Sequence, residues 1–368
     1  MKIRAVELRT IEIPRVSAFR TSLGTQSLHA GLLVRVEGQD SEGWGECVAE
    51  GDPSYSPEYV GGAVGVMRDF LVPRLLAEGE VLPQEVSSLL AEFRGHPMAK
   101  SALEAAVLDG QLREWNLSMS NYLGGTRTEV PAGVSVSIAD DIDALVGVVA
   151  DHLDAGYRRI KLKIQPGWDI EPVRAVREAF GSDVLLQVDA NTAYGRGDER
   201  LLSRLDDYDL LMIEQPLDPD DLIGHADLAR HVRTPICLDE SVTSARIAAT
   251  AIRLAACSII NIKPGRVGGY LEARRIHDLA TANGVRVWCG GMAETGVGRA
   301  GNAALASLPG FDLPNDISAS SRYYAKDITE PFTVSDGCVS VPTRPGIGVD
   351  VRADVLDEYT VARDVLTP

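Results

Sequence analysis

The chain has 368 residues, 45% hydrophobic and 24% charged, which is enough to bury a large core and to build two structural units or one with an appendage. Lys and Arg total 36 against 53 Asp and Glu, a formal charge of −17 that repels phosphate backbones and anionic membrane surfaces, so neither nucleic acid nor membrane is an expected partner. No run approaches the roughly 20 apolar residues of a membrane span.

The opening MKIRAVELRTIEIP alternates like a strand and lacks the continuous apolar run of a secretory leader. Cys47, Cys237, Cys257, Cys289 and Cys338 are odd in number, scattered and mostly within apolar segments, as reduced core thiols are. Both features point to the cytoplasm. VELRTIEI, GLLVRV and GWGECV then predict a small antiparallel sheet across residues 1–50. Helical spacing of apolar residues over 60–75, 82–95 and 98–117 completes an α+β unit spanning 1–125, and Gly124, Gly125 and Pro131 punctuate its end.

From about residue 132 the pattern changes to β-rich runs, each followed by a helical segment: VSVSI, RIKLKI, VLLQVDA, LLMIEQP, PICLDE, SIINIKPG and VRVWCGG. Strands alternating with helices predict parallel pairing, in an open doubly wound sheet or a closed β/α barrel. Spacing favours the barrel over 126–325. Lys163, Asp189, Glu214, Asp239 and Lys263 end successive runs at intervals of 26, 25, 25 and 24 residues, and a barrel gathers all such ends at one rim. The remaining 326–368, with SDGCVSVPTRPGIGVD, is expected to return and pack on the amino-terminal unit.

The rim residues imply a chemistry. Three converging carboxylates repel one another, and a hard divalent cation such as Mg2+, or Mn2+ or Co2+ in its place, resolves the conflict through oxygen ligands. Asp189, Glu214 and Asp239 are therefore the candidate metal ligands. The six histidines, His29, His96, His152, His225, His231 and His277, show no zinc spacing, end no strand, and are expected at surface or helix positions. Lys163 and Lys263 flank the carboxylates, one base for each face of a substrate held by the metal. A metal on a carboxylate stabilises the enediolate formed when the alpha proton leaves, and a lysine base requires a pKa lowered toward neutrality. Lys161, on the same strand face as Lys163, is the candidate second cation for it, and Arg266 for Lys263.

Gly296, Gly298 and Gly301 match GxGxxG after an apolar strand, which taken alone suggests a nicotinamide dehydrogenase. The motif sits in the seventh repeat instead of the first, and an anion site at a helix start explains it as well. A non-catalytic scaffold on a decayed barrel predicts losses among the five rim residues, and none is lost.

In this order, KLKI, VDAN, IEQP, LDES and NIKPGR resemble the enolase superfamily, and Lys-x-Lys with a lysine after the third carboxylate looks like its muconate-lactonizing-enzyme subgroup. GWGECV, GHPMAKSALEAAVLD, RIKLKIQPGWD, DANTAY, NIKPGRVGGYLEA and WCGGMAETGVGRA are similar to the N-succinylamino acid racemase and o-succinylbenzoate synthase family, also called N-acylamino acid racemases. The resemblance implies a modified (β/α)7β barrel with a capping unit, a homo-oligomer, and an N-acyl amino acid or cyclohexadiene carboxylate as substrate. It implies magnesium with lysine bases, a known pairing in enolase-type sites. In racemisation Lys163 and Lys263 alternate as base and acid, with Arg266 associated with that activity. In the synthase reaction of menaquinone biosynthesis Lys163 performs both proton transfers and Lys263 acts as a cation. Lys161 helps hold the substrate carboxylate, and further contacts fall on Ser135, Asn191, Gly291, Met292, Phe19 and Tyr55. Dipeptide epimerases of the subgroup show Asp-x-Asp where this chain reads GGMAETG, with Glu294 its only acid, so a free-amine substrate is disfavoured; a cycloisomerase remains a further alternative.

Overall fold

The computed structural model describes residues 1–368. Alternating apolar residues build β1 (Ala5–Thr21), β2 (Gly24–Glu37) and β3 (Glu42–Cys47), an antiparallel meander. Pairing of β1 with β2 shifts register between Pro14 and Phe19, which bends the far end of this long hairpin. The helix Pro97–Glu114 crosses the sheet at very short range. Gly43 and Gly45 of GWGE permit this, because a Cβ on either would lie 2.0 Å from a helix carbonyl oxygen, that of Ala106 or Ala102. Residues 60–78 form one helical run interrupted by a π turn at Met67–Leu71 that buries both of its ends.

After β4 (Glu129–Pro131) come the seven parallel strands β5 (Gly133–Val136), β6 (Arg159–Lys163), β7 (Leu185–Asp189), β8 (Ile213–Glu214), β9 (Ile236–Leu238), β10 (Ile259–Ile262) and β11 (Arg286–Cys289), adjacent in chain order. An irregular segment closes the gap from β11 back to β5. Val287 bridges Phe311 and Ala132 bridges Asn315, while Gly133 N donates to Asn315 O at 2.7 Å and Asp316 N to Cys289 O at 2.9 Å. Pro314 within it has no N–H to donate, which suits a final strand that is only bridged. The result is the modified barrel of seven βα units and a last strand.

Ile160, Leu162 and Ile164 are buried among the helices, and Lys161 and Lys163 are buried as well. Their face therefore looks into the barrel and not at water. The tail divides its contacts. β12 (Cys338–Ser340) pairs with β4 beside the barrel, Ile347 N donates to Asp109 of the helix Pro97–Glu114, and β13 (Thr360–Leu366) pairs antiparallel along β1. No helix is long and apolar enough to cross a membrane.

One seam joins the amino-terminal sheet to the barrel. Glu46 on β3 accepts from Thr295 N at 2.9 Å, Thr295 Oγ1 at 2.6 Å and Gly298 N at 2.9 Å, and Asp327 accepts from Gly296 N at 2.9 Å. These bonds cap the helix Gly296–Ala306 and overturn the dinucleotide reading of GxGxxG, since its N–H groups are taken by the protein's own carboxylates. His29 departs from the surface or helix positions expected of the histidines, being buried on β2 with its Nε2 3.9 Å from Glu46. Burial there pushes its pKa down to about 3.

Burial pushes the Glu46 carboxyl up to about 7 in spite of its hydrogen bonds. The folded state therefore binds this proton more tightly than the unfolded chain, and its contribution to stability falls as pH rises from 4.5 through 7. Glu46→Gln, which cannot ionise, is expected to flatten the decline of Tm across that window in thermal melts; an unchanged slope would count against the assignment.

Candidate active site

The strand register brings the three carboxylates to one rim. Asp189 pairs directly with Glu214, Glu214 pairs with Cys237, and Asp239 lies just beyond, its N–H donated to Gln215 Oε1 at 2.9 Å. None is more than 1% exposed. Gln215 also accepts from Ser241 N at 3.1 Å and donates to Ser241 Oγ at 2.8 Å, so one side chain from IEQP ties the ends of β8 and β9 together.

Glu214 accepts from Asn261 Nδ2 at 2.7 Å and Gln187 Nε2 at 3.0 Å and lies 3.2 Å from Lys161 Nζ. Burial, then repulsion from Asp189, pushes its carboxyl up to about 8. Asp189 is driven upward by burial but ends well below the usual range because Lys163, at 2.7 Å, and Lys161, at 3.3 Å, outweigh it. Asp239 is lowered in the same way, against burial, by Arg266 on one oxygen and Lys263 at 2.8 Å on the other. The three carboxylates share the rim without closing around one point. No three acidic, His or Cys side chains are gathered closely enough to grip an ion, because each carboxylate turns toward the nearest cationic side chain.

Lys161 also reaches Asp316 at 2.6 Å and sits 4.9 Å from the Trp288 ring centroid. Burial opposes its charge, yet Asp316, Glu214 and Asp189 together hold its ammonium well above the ordinary value. It is therefore a firm cation, one that shares Asp189 Oδ2 with Lys163. Lys263 departs from the expected lowered pKa. Burial pulls it down, but Asp239 beside it wins and the value rises. Arg266 bonds Asp239 and the Tyr55 hydroxyl, which also lies 3.2 Å from Lys263 Nζ.

A cavity of about 310 Å³ opens onto this rim. Ser135, directly opposite Lys161 in the β5–β6 ladder, lines it together with Lys161, Lys163, Asn191 and Lys263 from the barrel. Gly291 and Met292 contribute the loop after β11, and Phe19 and Tyr55 the amino-terminal unit. Arg266 stands behind Tyr55 and Glu294 is turned away, accepting from Asn302 Nδ2 and Met292 N, each at 2.9 Å. Sequence reasoning missed Asp316, which follows the helix Gly296–Ala306 in LPND and has no strand-end signal, and a polar wall on the hairpin side. There Arg15 donates to Gln26 Oε1 at 2.9 Å, and Gln26 donates to Glu50 at 2.5 Å.

Residues 144–355 match a family described as "Enolase C-terminal domain-like". The chain belongs to the enolase superfamily. It is 60% identical to an N-succinylamino acid racemase of Amycolatopsis sp over 363 residues, 99% of each chain. It is 43% identical to an o-succinylbenzoate synthase of Bacillus subtilis (strain 168), covering 100% of this chain and 99% of that one. The crystal structure of an enolase superfamily member from Listeria innocua superposes with a TM-score of 0.95 at 38% identity, over 100% of this chain and 99% of that one.

Asp316 anchors two buried cations, Lys161 and Arg159, each at 2.6 Å, and is the only carboxylate paired with Arg159. Asp316→Ala is expected to lower unfolding free energy by about 3–5 kcal/mol. Denaturant titration measures this, and a loss below ~1 kcal/mol would contradict the burial argument.

Proposed function

We propose that this protein is an N-succinylamino acid or N-acylamino acid racemase that also forms o-succinylbenzoate in the same site. The observation that supports this most is the pairing of two buried lysines that line one cavity, at the ends of β6 and β10, with buried carboxylates from the strand ends between them. The two activities named among close relatives support a pair of reactions with the same first step.

Asp189, Glu214 and Asp239 are the residues that would hold Mg2+, with Mn2+ or Co2+ as substitutes. The donors are all oxygens, and Glu214, raised by burial and then by Asp189, has only one lysine within salt-bridge distance. When bound, the cation supplies positive charge at the substrate carboxylate and so eases loss of the neighbouring proton. Lys161 stays charged and directs that carboxylate to the rim. Lys163 and Lys263 each remove or return the alpha proton from their own side. Asp239 is what raises Lys263, so drawing its charge elsewhere lowers that pKa toward the working range. Tyr55 and Arg266 keep the Lys263 ammonium aimed while this happens. In the dehydration, Lys163 moves the proton and Lys263 remains a cation beside the developing charge.

Ser135, Asn191, Gly291, Met292, Phe19 and Tyr55 form the substrate wall in this reading. The organisation assigns 1–125 to a cap, 126–325 to the barrel and 326–368 to a returning segment. A core of 26 buried residues confined to the first 107 positions, beside a core of 66 centred on the barrel, supports that division. Five unpaired cysteines suit the cytoplasm, and family resemblance carries the homo-oligomer.

Lys163→Ala is expected to lower kcat for both reactions by on the order of 10²–10⁴-fold while circular dichroism and calorimetric Mg2+ binding stay intact. Unchanged turnover would sink the assignment. Chelation should abolish activity and added Mg2+ restore it. Comparing kcat/KM for N-succinyl, N-acetyl and cyclohexadiene substrates tests the class: a strong preference for the cyclohexadiene favours synthase as the main role, and failure on all three rejects the reading.

A further inference from the structure

Asn191 lines the cavity, yet both ends of its amide are already engaged by the protein. Oδ1 accepts from Lys163 Nζ at 2.7 Å and Nδ2 donates to Glu240 Oε1 at 2.9 Å. Chemistry at both ends dictates that orientation. An ammonium only donates and a carboxylate only accepts, so a flipped amide loses both bonds at once. Asn191 makes no side-chain bond besides these, and Glu240 makes none except this one, its other oxygen being buried without a partner.

The backbone is bent to present this amide. Asn191 and Thr192 are successive non-glycine residues in the left-handed region, with φ of 41° and 68°. Asn191 N donates to Asp189 Oδ1 at 3.0 Å, and Thr192 N to Gln215 O at 2.9 Å, which holds the turn. Such conformations cost on the order of 1 kcal/mol or more each and persist where surrounding bonds over-determine them.

Of the two side-chain acceptors on Lys163, Asp189 is shared with Lys161 and is a candidate metal ligand, whereas Asn191 is neutral and belongs to Lys163 alone. We infer that Glu240 is a positioning residue for Lys163, acting through Asn191, whose amide it locks so that a neutral oxygen sets the direction of the lysine. Lys263 hydrogen-bonds neither Asn191 nor Glu240, its partners being Asp239 and Tyr55, and Glu240 reaches it only through space as a charge. Loss of Glu240 therefore removes a hydrogen-bonded support from Lys163, whereas Lys263 loses only a charge, which Glu240→Gln removes as well. The inference rests on the racemase reading of the preceding subsection.

The test uses the two enantiomers of an alpha-deuterated N-succinyl amino acid with the full-length Mg2+-loaded enzyme, following deuterium washout by NMR and inversion by chiral chromatography. Lys163→Ala identifies the enantiomer whose proton Lys163 removes, as the one whose washout disappears. In Glu240→Ala, washout from that enantiomer is expected to fall at least ten-fold relative to its mirror image, which continues to exchange without inverting. Asn191→Leu should show the same skew, and the double variant little more. Glu240→Gln keeps a carbonyl acceptor and should hold the ratio of the two washout rates near its original value.

Equal losses for both enantiomers in a Glu240→Ala enzyme of unchanged Tm would overturn the inference and leave the racemase reading standing. A skew in Glu240→Gln as large as in Glu240→Ala would overturn it too, by assigning the effect to charge. No exchange and no inversion in the unaltered enzyme would overturn the racemase reading and the inference together.

Discussion

Alternation of buried charge at the barrel mouth is the constraint on which the structure depends. Asp189, Glu214 and Asp239 stand on neighbouring strand ends away from water, where any one alone would take up a proton. Lys161, Lys163, Lys263 and Arg266 are interleaved among them so that Asp189 and Asp239 keep their charge. Glu214, at the centre, receives only Lys161 and two amides, and it is the member pushed up to about 8. The imbalance is local, at the middle of the three strand ends. Lys161 in turn needs Asp316 and the Trp288 ring behind it, so the demand for compensation spreads inward through the barrel floor.

The same logic requires a cover. A rim of paired charges is strengthened by exclusion of water, and the hairpin end near Phe19 together with the loop bearing Tyr55 supplies that exclusion. Tyr55 does more than cover, because its hydroxyl meets both Lys263 and Arg266. The amino-terminal unit must therefore be held in register with the barrel to within hydrogen-bonding distance. Glu46 does this by capping a barrel helix from the opposing sheet, which is why GxGxxG appears in a protein where it meets the chain's own carboxylates.

Much of this was legible in the sequence. The repeat of Lys163, Asp189, Glu214, Asp239 and Lys263 at near-constant spacing reports a barrel because strand, loop and helix together consume about 25 residues. Closure by residues 311–316 was not legible, since a bridged segment containing Pro314 has no strand pattern. Asp316 was missed for that reason, and Gln215 because an amide inside IEQP looks inert until its left-handed backbone, at φ 38°, points it toward Ser241 and the Asp239 backbone. The polar wall of Arg15, Gln26 and Glu50 was hidden differently: its members lie on two strands and a loop, and only the hairpin register brings them together. Local pattern announces backbone periodicity; contacts between distant segments announce nothing until the fold is assembled.

RIKLKI first looks like a strand with one wet face, and its two lysines like equivalents. The structure separates them. Lys161 is enclosed by three carboxylates and an indole face, surroundings that fix its charge. Lys163, two residues nearer the mouth, has one carboxylate and one neutral amide. A group that must gain and lose a proton needs a partner able to accept a hydrogen bond without adding charge, and an asparagine oxygen is such a partner. Lys263 has the Asp239 carboxylate and the Tyr55 hydroxyl, which also accepts from Arg266. The two lysines thus face one cavity from dissimilar supports, one a neutral amide and the other a phenol shared with a guanidinium.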